Sequence, residues 1–178
     1  PDLTRFQWAT VGPSYIPVTD VDPSKLYNVH SPKWNEAGKT NSEGVVAVID
    51  TGVDYTHPDL AGVMYEFSPE LQKKLSCGPF GMCTGGDGDT KDPMDYNGHG
   101  THCAGIIAGS WNGIGISGMA SGCRILAIKT ENEKGDLTND GVVKAMAFVA
   151  DAADNGIDVR AVNNSFGGTI VAPCLSVE

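Results

Sequence analysis

An unbroken run of apolar residues, GVVAVID from Gly44 to Asp50, is the feature that most restricts the fold. The run is rich in β-branched residues and has no polar side chain before its last position. Such a pattern is typical of a strand that is buried on both faces of a parallel sheet. In open parallel sheets functional groups gather at the carboxyl ends of the strands, which makes Asp50 a candidate functional residue.

Helical and strand patterns alternate after this first strand. Thr101–Ala108 has helical spacing, RILAIK at 124–129 predicts a strand, and a second helix follows Thr138 or Asn139 and stops at Asn155-Gly156. Its apolar face is predicted at Val142, Met146 and Val149. Val159–Asn164 gives the next strand, whereas Tyr65–Pro93 has no regular pattern. This order predicts an α/β fold with a doubly wound, mainly parallel sheet and helices on both faces.

The length of the chain fits one main domain preceded by an arm. With 178 residues it can bury a sizeable core. Residues 1–40 are rich in proline and predict an N-terminal arm packed on that core, with a short helix at 32–37. Residues 41–178 form the main body.

Composition excludes some classes of function. The formal charge of −10 and the lack of a basic stripe argue against nucleic-acid binding. No run of 18 apolar residues occurs, so no membrane span is predicted. The chain has five cysteines, an odd number, so at least one has no partner within the chain. Cys77 and Cys83 stand at the two ends of a short loop and could form a local disulfide or remain two unpaired thiols. Cys103 is predicted to be a small buried residue.

His99 stands between two glycines at the start of the first predicted helix. The positive end of the helix dipole disfavours a charged ring there, and a neutral imidazole is what a general base needs. A carboxylate such as Asp50, bonded to one ring nitrogen, would fix the tautomer and stabilise the imidazolium. The alternative is a histidine that only caps its helix.

Three segments resemble the signature motifs of the subtilisin-like serine proteases, or subtilases, and occur in the family's order. They are AVIDTGVDYTHPDL at 47–60, NGHGTHCAG at 97–105 and VNNSFGG at 162–168. The resemblance implies that 41–178 is the N-terminal portion of a subtilisin-like catalytic domain, incomplete in this chain. It makes Asp50 the orienting carboxylate and His99 the general base and acid of an Asp-His-Ser triad.

The resemblance also assigns substrate-binding residues. Ser165, Phe166 and Gly167 would line the specificity pocket and pair with an extended protein or peptide substrate, and Gly135 would form the opposite edge. The family's nucleophilic serine and oxyanion-hole asparagine have no counterpart here, since the sequence contains no Gly-Thr-Ser triplet. We expect both from a C-terminal chain of the same catalytic domain, separated by cleavage, and expect this chain alone to be inactive. The alternative is a pseudoprotease or binding module that keeps only the scaffold.

A structural Ca²⁺ is the cofactor that the resemblance implies. Its ligands would be the side chains of Asp59 and Asn112 and the carbonyls of Ser110, Ile114 and Ile116, an all-oxygen set that suits this ion. The aspartates of the 87–92 loop are either a second cation site or a solvated acidic loop. The family also implies a secreted or extracellular protein, with the cell surface included.

Two other enzyme classes share fragments of this pattern. His99, His102 and Cys103 could be zinc ligands, but the further ligands of a zinc site are not apparent. Asp50-Thr51-Gly52 matches the Asp-Thr-Gly of aspartic proteases, which need two such carboxylates, and the triplet occurs once.

Overall fold

Strands and helices alternate along the chain in this computed structural model, which describes residues 44–86, 90–120 and 122–167. The elements are β1 (Val45–Asp50), α1 (Pro69–Leu75), β2 (Gly81–Cys83), α2 (His99–Ala108), β3 (Arg124–Lys129), α3 (Asn139–Asp154) and β4 (Val159–Asn163). The arm predicted for residues 1–40 and the short helix within it lie outside the described residues.

The described strands form one parallel sheet in the order β2-β3-β1-β4. β1 is central, pairing with β3 on one side and β4 on the other, with Asp50 opposite Lys129. Because the chain adds strands on both sides of β1, the sheet is doubly wound, and the α/β prediction is confirmed. The carboxyl end of β1 therefore lies in the middle of the edge where functional groups gather.

Alternate residues of the central strands feed two hydrophobic clusters, one on each face of the sheet. Ala47 and Ile49 pack in the cluster that includes Phe148 of α3. Val48 packs in the other cluster, with Ala104 of α2. Burial on both faces explains why β1 reads as a continuous apolar run, and it places α2 and α3 on opposite sides of the sheet.

The face of α3 that meets the sheet differs from the predicted one. Thr138 caps the helix, its side chain accepting a hydrogen bond from the Gly141 amide. Met146 is 41% exposed, so its predicted place in the apolar face is wrong. The buried residues of α3 are Gly141, Ala145, Phe148, Val149 and Ala152. Small side chains let the helix approach the sheet closely, and Phe148 fills the remaining space.

Among the described helices, none is both long and apolar enough to cross a bilayer.

The segment predicted to be irregular contains α1 and β2. Ser68 caps α1 by accepting from the Leu71 amide, and proline occupies its first turn. Cys77 and Cys83, the candidates for a disulfide, are both free thiols. Cys77 is buried in the cluster around Phe148, while Cys83 lies half-buried on β2. A local disulfide is therefore not present, and the alternative of two unpaired thiols holds.

Candidate active site

Asp50 and His99 meet at the carboxyl end of β1. The Asp50 side chain is 1% exposed, that of His99 is 48% exposed, and their Oδ1 and Nδ1 atoms are 2.7 Å apart. The Thr51 amide donates to the same Oδ1 at 2.7 Å, which fixes the carboxylate. Because the contact uses Nδ1, the Nε2 atom is the nitrogen left to exchange a proton with a reacting group.

The carboxylate governs the protonation of the ring. The hydrogen bond that Asp50 accepts from the ring and the negative charge of Asp50 raise the pKa of His99 above 6.5; burial opposes this shift, and the charge of Asp95 adds a smaller increase. The net shift is opposite to the one that the helix N-terminus alone would produce. A charge in direct contact outweighs the partial charge at the end of a helix.

Asp95 positions His99, although the sequence analysis did not single it out. The residue before α2, Gly98, has a φ of 100° and provides no side-chain cap. Asp95 takes over that task. One of its oxygens accepts from the amides of Asn97 and Gly98 and the hydroxyl of Thr51, and the other from the amide and hydroxyl of Thr101. These five hydrogen bonds attach the first turn of α2 to the end of β1.

The charge of Asp95 is stabilised by the same donors. Burial alone would raise its pKa, but the hydrogen bonds from Thr101, Gly98 and Asn97 outweigh it and hold the pKa below 3.8. An acidic residue just before a helix that lacks a side-chain cap was the available signal in the sequence. Its contact with Thr51, 44 residues away, could not be read from local pattern.

Close packing brings α2 against the β1 end. Gly100 is buried, and a Cβ on it would lie 2.1 Å from the Gly52 carbonyl oxygen and 3.0 Å from the Asp50 Cβ. Only glycine fits there, because the obstacle is backbone. Gly100 therefore lets α2 pack close enough to β1 for the His99 imidazole to reach the Asp50 carboxylate.

Cys103 is a second residue that the sequence analysis placed differently. It was predicted to be a small buried residue, but it is half-buried, and candidate ligand atoms of Asp50, His99 and Cys103 all lie within 4.8 Å of one another. Burial raises the pKa of its thiol, opposed by a hydrogen bond with Ser165. The thiol therefore adjoins the Asp50–His99 pair.

The predicted substrate-binding residues lie in two places. Ser165 is exposed. Its hydroxyl forms a hydrogen bond with the Cys103 thiol and donates to the Asn163 side chain at 3.0 Å. Phe166 is partly buried against the cluster of α3, and Gly167 is exposed. The Ser165–Gly167 backbone thus leaves the end of β4 next to the Asp50–His99 pair.

Gly135 lines an open cleft of about 570 Å³ whose wall includes Lys129, the residue opposite Asp50 in the sheet. The wall of the cleft also includes Asn97, two residues before His99, and the Asn97 side chain donates to Glu131 at 3.0 Å. Tyr96, 82% exposed, forms another part of the wall, with the Lys129 ammonium 4.8 Å from its ring centre. The cleft is large enough for amino-acid side chains.

Four of the five predicted calcium ligands lie in the 110–116 loop, which packs against the fifth, Asp59. This carboxylate is 4% exposed and accepts hydrogen bonds from the Asn112 side chain at 3.0 Å and the Ile116 amide at 3.4 Å, both neutral donors. The Ser110 amide donates to the Asp59 carbonyl at 2.9 Å. Gly115, at φ 55°, passes so close that a Cβ on it would lie 1.9 Å from Asp59 Oδ2. Asn112 and Ile116 therefore contact the Asp59 carboxylate, Ser110 contacts its backbone carbonyl, and the Ile114 amide donates to the Asn112 side-chain oxygen at 3.0 Å.

His102 points away from the Asp50–His99 pair. It is exposed and lines a separate cavity of about 330 Å³, together with His57 and Asp59. Within the described residues, the one group with metal-ligand spacing contains Asp50 in place of His102. The zinc alternative built on His99, His102 and Cys103 is therefore wrong in its ligand set. Asp50 pairs with an imidazole, which also disfavours an aspartic-protease dyad.

Several known proteins have sequences similar to that of this chain. The "Thermophilic serine proteinase" of Bacillus sp. (strain AK1) is 41% identical over 169 residues, which is 93% of this chain and 35% of that protein. Fervidolysin of Fervidobacterium pennivorans is 37% identical over 76% of this chain and 18% of its own length. Subtilisin E of Bacillus subtilis is 30% identical over 82% of this chain and 32% of its own. The chain spans about a third or less of the length of these relatives.

Solved structures share the fold. The serine protease of Aeromonas sobria matches with a TM-score of 0.52 at 25% identity, over 78% of this chain and 20% of that one. Its complex with the chaperone ORF2 gives a TM-score of 0.59 at 22% identity, over 97% and 27%. The model of the Subtilase family matches residues 41–173. On this match and on the relatives above, the chain belongs to the subtilase family.

Proposed function

We propose that this chain supplies the Asp and His of a serine endopeptidase that hydrolyses peptide bonds with an Asp-His-Ser triad. The observation that carries the proposal is the 2.7 Å contact between a buried carboxylate and a half-exposed imidazole, in a subtilase sequence. Asp50 is the orienting carboxylate and His99 the general base and acid.

The geometry suits both halves of acyl transfer. Nε2 of His99 would take the proton of the attacking serine hydroxyl and then deliver it to the leaving amine. Asp50 holds the ring through Nδ1 and stabilises the imidazolium that forms between the two steps. The raised pKa of His99 fits this role, because the ring must accept the serine proton and hold it until the leaving amine takes it.

The nucleophile is proposed to come from polypeptide outside this sequence. The sequence has no Gly-Thr-Ser triplet, and it spans about a third of the "Thermophilic serine proteinase". We propose that a C-terminal chain of the same catalytic domain, separated by cleavage, brings the serine and the oxyanion asparagine. Exposure of Arg160, Ala161 and Val162 on the edge strand β4 supports a partner beside that strand.

Without that partner the chain is expected to be nearly inert. Loss of a triad serine costs roughly 10⁶-fold in kcat in subtilisin, a member of the same family. Loss of one oxyanion-hole donor costs a further factor of roughly 10² to 10³.

An active-site probe tests the proposal. A fluorophosphonate should label the purified protein on a polypeptide that carries a Gly-Thr-Ser segment, and peptidase activity should accompany the label. His99→Ala should lose both by about 10⁶-fold in rate, as for triad residues of subtilisin. His102→Ala is the matched control on the same helix and should keep both. If the unmodified protein takes no label and cleaves no peptide, the pseudoprotease or binding-module alternative holds.

We further propose that the substrate is an extended peptide. It would add to the exposed backbone of Ser165–Gly167 through main-chain hydrogen bonds, with side chains entering the cleft beside Gly135. The support is the exposure of Ser165 and Gly167, the hydrogen bond of Ser165 with Cys103 beside the pair, and a cleft that Gly135 lines together with Asn97 and Lys129. Peptides N-methylated at the pairing positions should bind more weakly than unmodified peptides of the same sequence.

Calcium is proposed as a structural cofactor of the Asp59 loop. Asp59 and Asn112 would hold it with their side-chain oxygens, and Ser110, Ile114 and Ile116 with their carbonyls. The fit rests on a buried carboxylate with neutral donors and on the loop backbone that passes against it at Gly115. The ion would supply the positive charge that a buried carboxylate needs.

Chelation tests the calcium proposal. At a free calcium concentration of 100 times Kd, one bound ion stabilises a protein by about 2.7 kcal/mol, so EDTA should lower Tm by several degrees and excess calcium should restore it. Asp59→Asn should melt at the lower temperature in both conditions, whereas Asp136→Asn, an exposed control, should respond like the unmodified protein. A melting curve that EDTA leaves unchanged would contradict the proposal.

An extracellular location is proposed on the family relationship alone. The described cysteines are free thiols and so give no support from oxidised pairs. Recovery of the protein in washed culture supernatant, compared with a cytosolic marker, measures the location directly.

A further inference from the structure

Glu131 places a buried carboxylate in the wall of the cleft that Gly135 lines. The residue follows the end of β3, and its backbone bridges to that of Leu137 across a turn. Within the turn the Asn132 side chain accepts hydrogen bonds from two backbone amides, each at 2.9 Å. Glu131 is only 8% exposed. The closed turn and the burial together hold its carboxylate in a fixed place.

One oxygen of this carboxylate remains available to a ligand. Oε1 accepts from the Asn97 side chain at 3.0 Å, and within the described residues no donor reaches Oε2. A buried carboxylate is costly where its oxygens lack donors, so a donor from a ligand would be stabilising. Gly135 also passes close to the same group, since a Cβ on it would lie 3.7 Å from Glu131 Oε1. A peptide that follows the Gly135 edge would therefore pass this carboxylate.

The charge of the cleft is negative. Three carboxylates line it, from Asp92, Glu131 and Glu133, against one ammonium, from Lys129. In the part of the chain that the structure describes, none of these carboxylates is in an ion pair. Lys129 instead donates to a backbone carbonyl at 3.0 Å and lies over the Tyr96 ring. The excess of negative charge in the lining favours a cationic ligand.

We propose that Glu131 determines specificity, and that the cleft selects substrates with a basic side chain, lysine or arginine, beside Gly135. The ammonium or guanidinium would donate to Glu131 Oε2, forming a charge-assisted hydrogen bond that an apolar side chain cannot form. This inference deepens the proposed function. Its kinetic test rests on the proposed peptidase activity, but its binding test does not.

Glu131 also holds Asn97, two residues before His99, so removal of the whole side chain would disturb the catalytic pair as well. Glu131→Gln separates the two roles, because the amide oxygen can still accept from Asn97 while the negative charge is gone. Glu133→Gln is the matched control, the same exchange on an exposed residue of the same cleft.

Paired fluorogenic peptides measure the preference. Each pair carries either lysine or norleucine, which has an aliphatic chain of similar length without a charge, and the pairs scan every position of the peptide. At one position the unmodified protein should favour lysine in kcat/KM by at least about tenfold, as expected for a hydrogen bond to a charged group. Each ratio is taken within one variant, so a general loss of activity cancels.

The variants decide whether Glu131 is responsible. Glu131→Gln should reduce the ratio at that position to about twofold or less, whereas Glu133→Gln should lower it by no more than about threefold, because an exposed charge is screened by solvent. A lysine preference absent at every position, or unchanged in Glu131→Gln, would overturn the inference. Equal falls in the rates for lysine and norleucine peptides would also overturn it, since they would leave Glu131 with a structural role alone.

Binding is measured without cleavage in the His99→Ala protein. Fluorescence anisotropy of the labelled peptide series should give a Kd about tenfold lower for lysine than for norleucine at one position, with a difference that shrinks as salt is added. Glu131→Gln in the same background should remove the difference. Equal Kd values for every pair would overturn the inference and leave the proposed function standing. A lysine preference in binding by a protein without peptidase activity would support the inference and contradict only the proposed function.

Discussion

Asp95→Asn should destabilise the protein, because the Asp95 carboxylate attaches the first turn of α2 to the end of β1. Asparagine can keep an oxygen where Thr51, Asn97 and Gly98 donate, but it then places an amino group opposite Thr101. The Thr101 hydroxyl can turn to accept from that group. The Thr101 amide cannot, and it loses its acceptor.

The magnitude follows from these contacts. A buried donor without a partner costs about 1–3 kcal/mol, and the remaining hydrogen bonds fall from roughly 1.5–3 kcal/mol each with a charged acceptor to about 0.5–1.5 with a neutral one. Because the five bonds share one side chain and are not additive, we expect a total loss of about 2–4 kcal/mol in the free energy of unfolding. Asp95 is only 8% exposed, so solvent screens little of this.

Urea unfolding followed by circular dichroism measures this loss, with Asp136→Asn as the exposed control. The pH dependence supplies a second signature. Because the pKa of Asp95 is lowered in the folded protein, its stabilisation is complete above the unfolded value of about 3.8 and is lost as pH falls through the folded pKa. The variant should lack this part of the acid transition. A change below about 0.5 kcal/mol would refute the reasoning.

Two further predictions concern the catalytic pair. Gly100→Ala should abolish peptidase activity, because the new Cβ would lie 2.1 Å from the Gly52 carbonyl oxygen and push α2 away from β1. Gly62→Ala is the control, since a Cβ there meets nothing within 4 Å. Near-normal activity in Gly100→Ala would contradict the close packing of α2. The acid limb of kcat/KM should lie above pH 6.5, because the hydrogen bond and charge of Asp50 raise the pKa of His99 and a protonated ring cannot act as the base. Asp50→Asn should move that limb to lower pH, and a limb at or below 6.5 in the unmodified protein would argue against the Asp50 contact.

Local pattern was enough to predict the frame of the fold. β1 and β3 are continuous apolar runs because both of their faces are buried, and burial of this kind leaves a direct mark in the sequence. The motifs around Asp50 and His99 identified the two residues that the structure brings together. Thr138 and the Asn155-Gly156 pair marked the ends of α3 because capping is a local interaction.

Features that depend on distant contacts could not be predicted in this way. The buried face of α3 is set by how closely the helix approaches the sheet, and so by Gly141 and Ala145 rather than by Met146. Asp95 was missed because one of its hydrogen-bond partners, Thr51, lies 44 residues away in the sequence. Cys103 resembles any small residue of a packed helix until the fold brings it beside Asp50. Each of these outcomes is decided by tertiary geometry rather than by residue type.

α2 connects the Asp50–His99 pair to the Asp59 loop, and this position limits where the sequence can gain or lose residues. The helix begins at His99 and ends at Ala108, and Ser110 then contacts Asp59. One inserted residue would rotate everything after it by about 100° and advance it by about 1.5 Å, so the His99 imidazole and the Asp59 loop could not both keep their places. Insertions and deletions among homologues should therefore avoid 99–110 and accumulate instead in exposed segments elsewhere.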